Sequence, residues 1–417
     1  MSVSGTDGEL KGRYWQLIFG VLCMVMIANL QYGWNLFVNP IDQKHQWGRA
    51  AIQVAFSLFV LTETWLVPVE AWFVDRFGPR FVVMAGGVLV AIAWSLNSFA
   101  DSLTLLYAAA VIGGTGAGAV YGTCMGNALK WFRGRRGFAA GMTAAGFGAG
   151  AALTIAPIRE VIQAHGYESA FLWFGLGQGA VILMASQFLR APPPGAVVVD
   201  TGPNIQMQRS FRPMETLKTP LFWVLYLMFV MVAAGGLVVT AQLASIAADF
   251  GVADQPLTIL GVTGTVLTVA LMVNSVLNGL ARPFFGWVSD KIGREPTMFL
   301  AFMMAATAIG SMALFGHHPL WFVVIGGLIY FTWGEIYSLF PATCTDSYGL
   351  KYAATNSGML YTAKGTAALV VPLSNILSKS GDWHTVLWMG VGANVTAALL
   401  AVLVLRPMRR AHRLKNS

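Results

Sequence analysis

Two basic side chains lie where so apolar a chain has least reason to keep them. Arg282 sits inside the stretch from Leu267 to Trp287, and Lys364 inside the stretch from Ala353 to Ser378. Both stretches read as membrane-spanning helices, where a cation at the bilayer centre costs about 2.5–3.5 kcal/mol on insertion scales. At a rise of about 1.5 Å per residue, Arg282 lies about 12 Å in from Asp290, and Lys364 about 16–18 Å from the start of its span. Glu335 and Glu63 fall at comparable depth, about 15–18 Å from the cytoplasmic ends of their spans. Two buried cations near one level describe a site for an anion that must cross a membrane. A guanidinium presents a planar fork that matches a carboxylate in bidentate geometry and does not deprotonate. Asn278, one turn earlier on the same helix face, can donate to the anion or hold Arg282 in position. The bland alternative is structural pairing, for instance Lys364 with Glu335. A buried ion pair is expensive to desolvate and adds little net stability, so it accounts poorly for four charges.

Aromatic and amide residues share this depth: Gln31, Tyr32 and Trp34, then Tyr121, then Trp333 and Tyr337, then Tyr361. Trp333 and Tyr337 are four apart, and Tyr361 and Lys364 three apart, so each pair shares a helix face. Singly, such aromatics pack helices together. As a set, they can form a cage with hydroxyl donors around a small anion.

Helices must carry these residues, and the composition says of what kind. Of 417 residues, 56% are hydrophobic and 11% charged, with a mean hydropathy of +0.64. A soluble protein carries about 25% charged residues, so this is an integral membrane protein. Windows of about 20 apolar residues give twelve spans, at 14–38, 51–74, 80–99, 103–129, 137–158, 168–189, 220–247, 259–288, 297–315, 319–344, 353–378 and 383–405. The first lacks a cleavage site and reads as a retained helix. The polar connection 190–219, with Pro192-Pro193-Pro194, separates an N-terminal six-helix unit (1–189) from a C-terminal one (220–417). Loops on the side of both termini hold twenty Lys and Arg, and the opposite loops four, namely Lys44, Arg49, Arg159 and Lys379. That asymmetry predicts cytoplasmic termini in a plasma membrane, the inner membrane of a bacterium.

The net charge of +8 is spread over short loops, which argues against nucleic acid as a partner. Cys23, Cys124 and Cys344 show no ligand spacing and read as packing residues. His45, His165, His317, His318 and His384 fall near loop ends. No Ser/His/Asp set, metal cluster or phosphate loop lies in the spans, which speaks against an enzyme, a metal site, a cofactor and a bound nucleotide. The expected partners are a small carboxylate anion, a proton and the lipid bilayer, with the protein acting as a monomer.

The two halves repeat. Asp75-Arg76-Phe77-Gly78-Pro79-Arg80 is echoed by Asp290-Lys291-Ile292-Gly293-Arg294, and Tyr14-Trp15-Gln16-Leu17 by Phe222-Trp223-Val224-Leu225. A duplicated six-helix unit with a midplane site is the architecture of rocking transporters. The repeated acidic-basic-x-Gly-basic loop resembles the signature of the major facilitator superfamily, with Ala71 where that family usually has Gly. The resemblance implies an all-α membrane protein of twelve transmembrane helices in two pseudo-symmetric six-helix bundles. It also implies a gating role for Asp75, Arg76, Arg80, Asp290, Lys291 and Arg294.

Four strings narrow the resemblance: Leu30-Gln31-Tyr32-Gly33-Trp34, Asn278-Gly279-Leu280-Ala281-Arg282-Pro283, Phe331-Thr332-Trp333-Gly334 and Ala363-Lys364-Gly365-Thr366. They are similar to the oxalate:formate antiporters, and the Asn-x-x-x-Arg-Pro pattern also resembles the monocarboxylate porters, which typically have Asp at the position of Asn278. Both resemblances imply that Arg282 binds the substrate carboxylate. The oxalate group implies a share for Lys364, and small or neutral residues at the positions of Glu63 and Glu335. The substrate-contacting set is thus Arg282, Asn278, Tyr121, Lys364, Leu30, Gln31, Tyr32, Trp333, Tyr337 and Tyr361. With two acids diluting two cations, a monoanion entering with a proton is favoured, and buried carboxyl groups can carry protons. The sequence therefore points first to a proton-coupled symporter of the lactate/pyruvate type, with Glu335 and Glu63 as proton carriers. An oxalate:formate-type exchanger comes second.

Overall fold

The computed structural model describes residues 6–132, 136–192, 209–259, 261–349, 351–378 and 382–416. Pro193 and Pro194 of the linker, Arg133, Arg135 and Lys379 lie outside the described residues, as does the side chain of Asp75.

Span one comprises Thr6–Tyr32 and Asn35–His45, span two Arg49–Trp65 and Val67–Phe77, span three Pro79–Ser98, and span four Leu103–Trp131. Span five is Arg136–Gly150, continuing through a 3-10 turn at Ala151–Leu153 into the helix Ile155–Ser186. That helix changes direction at Gly166, whose φ of 83° suits a residue without a Cβ, and 167–186 form span six. Span seven is Pro220–Asp249, span eight Val266–Ile292, span nine Arg294–Phe315, and span ten Pro319–Trp333 with Ile336–Tyr348. Span eleven is Ala353–Ala368 with Val370–Leu377, and span twelve His384–Leu400, a π turn and the basic helix Arg406–Asn416.

Ten helical stretches among the described residues are long and apolar enough to cross a membrane. One of them, Phe138–Ser186, is 49 residues long and crosses twice through its bend. With the two shorter helices of span eleven, this makes twelve crossings. The outer surface is apolar, with Trp15, Trp223, Leu280, Trp287 and Leu403 all more than half exposed. Such a surface suits a solvent of lipid tails.

One expected boundary is corrected. Ile259 and Val262–Thr265 belong to an antiparallel hairpin, Pro256–Ile259 with Val262–Thr265, and not to span eight. The run Leu257-Thr258-Ile259 is apolar enough to pass as membrane helix, but its β-branched residues suit a strand. Span eight starts only where Thr265 caps it, its hydroxyl accepting from the Thr268 N–H.

The halves meet where span five packs on span eight and span two on span eleven. Both contacts rest on small residues. A Cβ added to Gly141 would lie 2.7 Å from the Arg282 carbonyl oxygen and from Pro283 Cα, and one added to Gly148 2.7 Å from Asn278 Oδ1. At Gly141 the obstacle is backbone, which cannot step aside. Gly141→Val is expected to lose most transport and to destabilise the protein by about 1–3 kcal/mol, the usual cost of overpacking. Thermal unfolding in detergent, paired with uptake into vesicles, measures both.

Candidate substrate-binding site

Arg282 is fully buried in span eight. Its Nη1 donates to the Ala144 carbonyl oxygen of span five at 2.5 Å. Its Nη2 donates to Asn278 Oδ1 at 2.7 Å and to the Tyr32 hydroxyl at 3.0 Å, and its Nε has no partner. Asn278 is itself held by donating Nδ2 to the Tyr330 carbonyl oxygen at 3.0 Å. Asn278 therefore positions the guanidinium. The Tyr337 ring centroid lies 4.4 Å from the guanidinium carbon, within cation–π range. Every hydrogen-bond acceptor around Arg282 is neutral.

Lys364 is equally buried, in span eleven. Its ammonium donates to Glu63 Oε2 at 2.7 Å, to Gln31 Oε1 at 2.8 Å and to the Tyr361 hydroxyl at 3.1 Å. The sequence reading offered Glu335 as its partner, and the structure places Glu63 there instead. Glu335 shares the depth but not the cluster: it sits at the break in span ten, and neither carboxyl oxygen has a partner. Tyr337, two residues further on, faces Arg282, and residue 335 points to another side.

The remaining expected residues divide in the same way. Tyr121 stacks on Tyr361 across the two halves, with ring centroids 4.9 Å apart and planes at 8°. Trp333 meets Tyr337 edge-on at 5.4 Å, and its indole fills the space beside Gly236 of span seven. Leu30 lies outside this cluster of side chains. It packs beside Gly113 of span four and lines an apolar cavity with Trp34, Phe56, Phe59 and Trp94.

Phe147, which the sequence reading missed, stands at the centre. Arg282 and Lys364 lie 5.8 and 5.3 Å from its ring centroid, and Tyr32 and Tyr121 meet its edge or face at 5.4 and 5.3 Å. The available signal was a lone aromatic in the small-residue run Ala144-Ala145-Gly146-Phe147-Gly148-Ala149-Gly150.

The charged loop residues gather at the end of the bundle that carries both termini. Arg294 donates to Asp346 at 2.9 Å and to Asp290 at 2.7 Å, tying span nine to spans ten and eight. Arg409 donates to Glu295 at 2.6 Å. Lys291 lies 4.0 Å over the Trp287 ring, Arg76 lies over Phe77 at 5.7 Å, and Arg80 bonds the Gln187 side chain. The bonds of Arg294, Arg409 and Arg80 each join spans of one half, and the Lys291 and Arg76 ring contacts lie within one span.

Bonds between halves occur elsewhere. At the opposite end, Asn35 donates to the Thr240 carbonyl oxygen at 2.7 Å, Gln53 to that of Ala241 at 2.8 Å, and Arg159 to Thr265 at 3.0 Å. Near the level of Glu63 and Lys364, Trp65 donates to the Thr362 carbonyl oxygen at 3.1 Å. Arg282 and Lys364 have no exposed surface, so the two halves hold the centre occluded.

Twelve crossings in two pseudo-symmetric halves, with a buried charged centre at their interface, define the class of multi-pass membrane transporters. The chain belongs to the Major Facilitator Superfamily, whose family model matches residues 17–372. It is similar to an oxalate:formate antiporter of Oxalobacter formigenes, 35% identical over 97% of this chain and 94% of that one. An uncharacterised 38 kDa protein of Thermoproteus tenax is 29% identical over 93% of this chain and 95% of its own length. Monocarboxylate transporter 12-B of Danio rerio is 24% identical over 87% of this chain and 80% of its own.

Proposed function

We propose that this protein is a small-carboxylate antiporter, with Arg282 as the carboxylate receptor. One observation carries the reading: Arg282 is buried among neutral acceptors while donors go unused on its own Nε, on Tyr337 beside both cations, on Gln31 beside Lys364 and on Trp333 packed against Tyr337. Arg282 Nε, Trp333 Nε1, Gln31 Nε2 and the Tyr337 hydroxyl all lack partners. Buried polar groups are rarely left unpaired, and a cluster of idle donors around a cation suits an acceptor-rich anion. A carboxylate taking the Nε–Nη2 edge displaces a neutral acceptor, the Tyr32 hydroxyl or the Asn278 amide oxygen, and gains a charge-assisted fork.

Charge favours exchange over proton symport. With Glu335 outside the cluster, Arg282, Lys364 and Glu63 leave one net positive charge at the centre. A monoanion neutralises it. Without an anion, reorientation must carry an uncompensated cation through a dry interior, which is unfavourable. The neutral Asn278 beside Arg282 supports the same ordering, since no acid stands there to balance the empty site. The similar oxalate:formate antiporter and monocarboxylate transporter support carboxylates as the substrate class. We place both termini in the cytoplasm and the protein in a bacterial inner membrane on the Lys/Arg asymmetry, with 190–219 linking the two units and a monomer as the working form.

Uptake of labelled formate, lactate, pyruvate and oxalate into proteoliposomes tests the reading. Uptake is expected to need an internal carboxylate and to gain little from a pH gradient imposed on empty vesicles. Brisk lactate uptake into empty vesicles, driven by that gradient alone, would replace exchange with proton symport through Glu63 or Glu335.

A further inference from the structure

We infer that Glu63 is a built-in carboxylate that occupies Lys364 and sets the site's preference for monocarboxylates over dicarboxylates. The inference rests on the carboxylate reading of Arg282. An ammonium has three N–H donors, and Lys364 spends all three on Glu63, Gln31 and Tyr361. It has none left for a ligand. Arg282, by contrast, keeps Nε unused. The two cations are no more than 10 Å apart, since they lie 4.4 and 5.6 Å from the centroid of one ring, that of Tyr337.

A short dicarboxylate gripped at one end by Arg282 therefore directs its other end towards Lys364. There it meets the Glu63 carboxylate, whose Oε1 is unpartnered and whose side chain is fully buried. Two carboxylates sharing one ammonium in a dry site repel each other, because like charges interact strongly where the dielectric constant is low. A monocarboxylate avoids the conflict, using Arg282 and the neutral donors while Glu63 stays on Lys364. The pair also joins span two to span eleven, so the same contact links the halves. Replacing the acid by a neutral isostere frees one ammonium proton and removes the repulsion.

Counterflow of labelled formate and labelled oxalate in proteoliposomes, compared as a ratio of initial rates at one pH, tests this. Glu63→Gln is expected to raise the oxalate-to-formate ratio at least ten-fold, equivalent to about 1.4 kcal/mol. Glu63→Asp, which keeps the charge, is expected to hold the wild-type ratio. The shift in unfolding temperature that each anion gives the detergent-solubilised protein supplies the same ratio if a variant transports poorly. An unchanged ratio in Glu63→Gln, or an equal change in Glu63→Asp, overturns the inference and leaves the carboxylate reading standing. Absence of any response to either anion by the wild type overturns both.

Discussion

Replacing Arg282 by lysine is expected to abolish carboxylate exchange as fully as replacing it by alanine, with a loss of at least about 100-fold, or near 2.7 kcal/mol. Lysine keeps the charge but not the fork. Its ammonium is a point donor on a flexible stem, whereas the guanidinium donates to Ala144, Asn278 and Tyr32 at once and still leaves Nε without a partner. Truncating one partner of a buried, hydrogen-bonded charge contact commonly costs 2–5 kcal/mol or more, so the figure is conservative. Initial exchange rates and anion-dependent thermal stabilisation measure it together. Ordinary exchange by Arg282→Lys would remove the fork from the mechanism and leave only a charge requirement.

The second large effect is on stability. Lys364→Ala leaves Glu63 buried without its cation, and breaking a buried pair from one side destabilises by about 3–5 kcal/mol. Neutralising both partners, as Glu63→Gln with Lys364→Ala, is expected to recover most of that loss, because neither residue then strands a charge. Unfolding of the two single variants and the double variant in detergent closes the cycle. If the double variant is no more stable than Lys364→Ala, the lysine acts through packing and not through its pairing with Glu63.

Depth was legible in the sequence, and direction around the helix was not. Arg282 and Lys364 announce themselves because a charge in an apolar run is unfavourable wherever the helix faces. Counting residues places Glu63 and Glu335 at the same level. Which of them meets Lys364 depends on how helices 301 positions apart in sequence turn towards each other. The halves and their repeat followed from hydropathy and from the paired loops, whereas the hairpin at 256–265 was hidden by its apolar character. Phe147 escaped for a related reason, since an apolar ring in an apolar span carries no mark of its use. Leu30 was carried along by its neighbours in a motif, although successive helix residues point about 100° apart and only Gln31 and Tyr32 reach the centre.

The two cations stand in the same half, Arg282 in span eight and Lys364 in span eleven, while Glu63, Gln31, Tyr32 and Phe147 come from the other. On the proposed reading of Arg282, a bound anion is a passenger of the second half. As the halves swing, its grip on the guanidinium travels with it, and what changes is the wall it faces. On that reading the grip on the carboxylate resides in the second half, and the choice among anions and the rate of turnover in the first. Changes at Arg282 are then expected to move the binding constant on both sides of the membrane alike. Changes in the first half, at Glu63 for ligand preference and elsewhere along the wall, alter the contacts broken and remade on each swing, and so are expected to set the pace and the sidedness of transport.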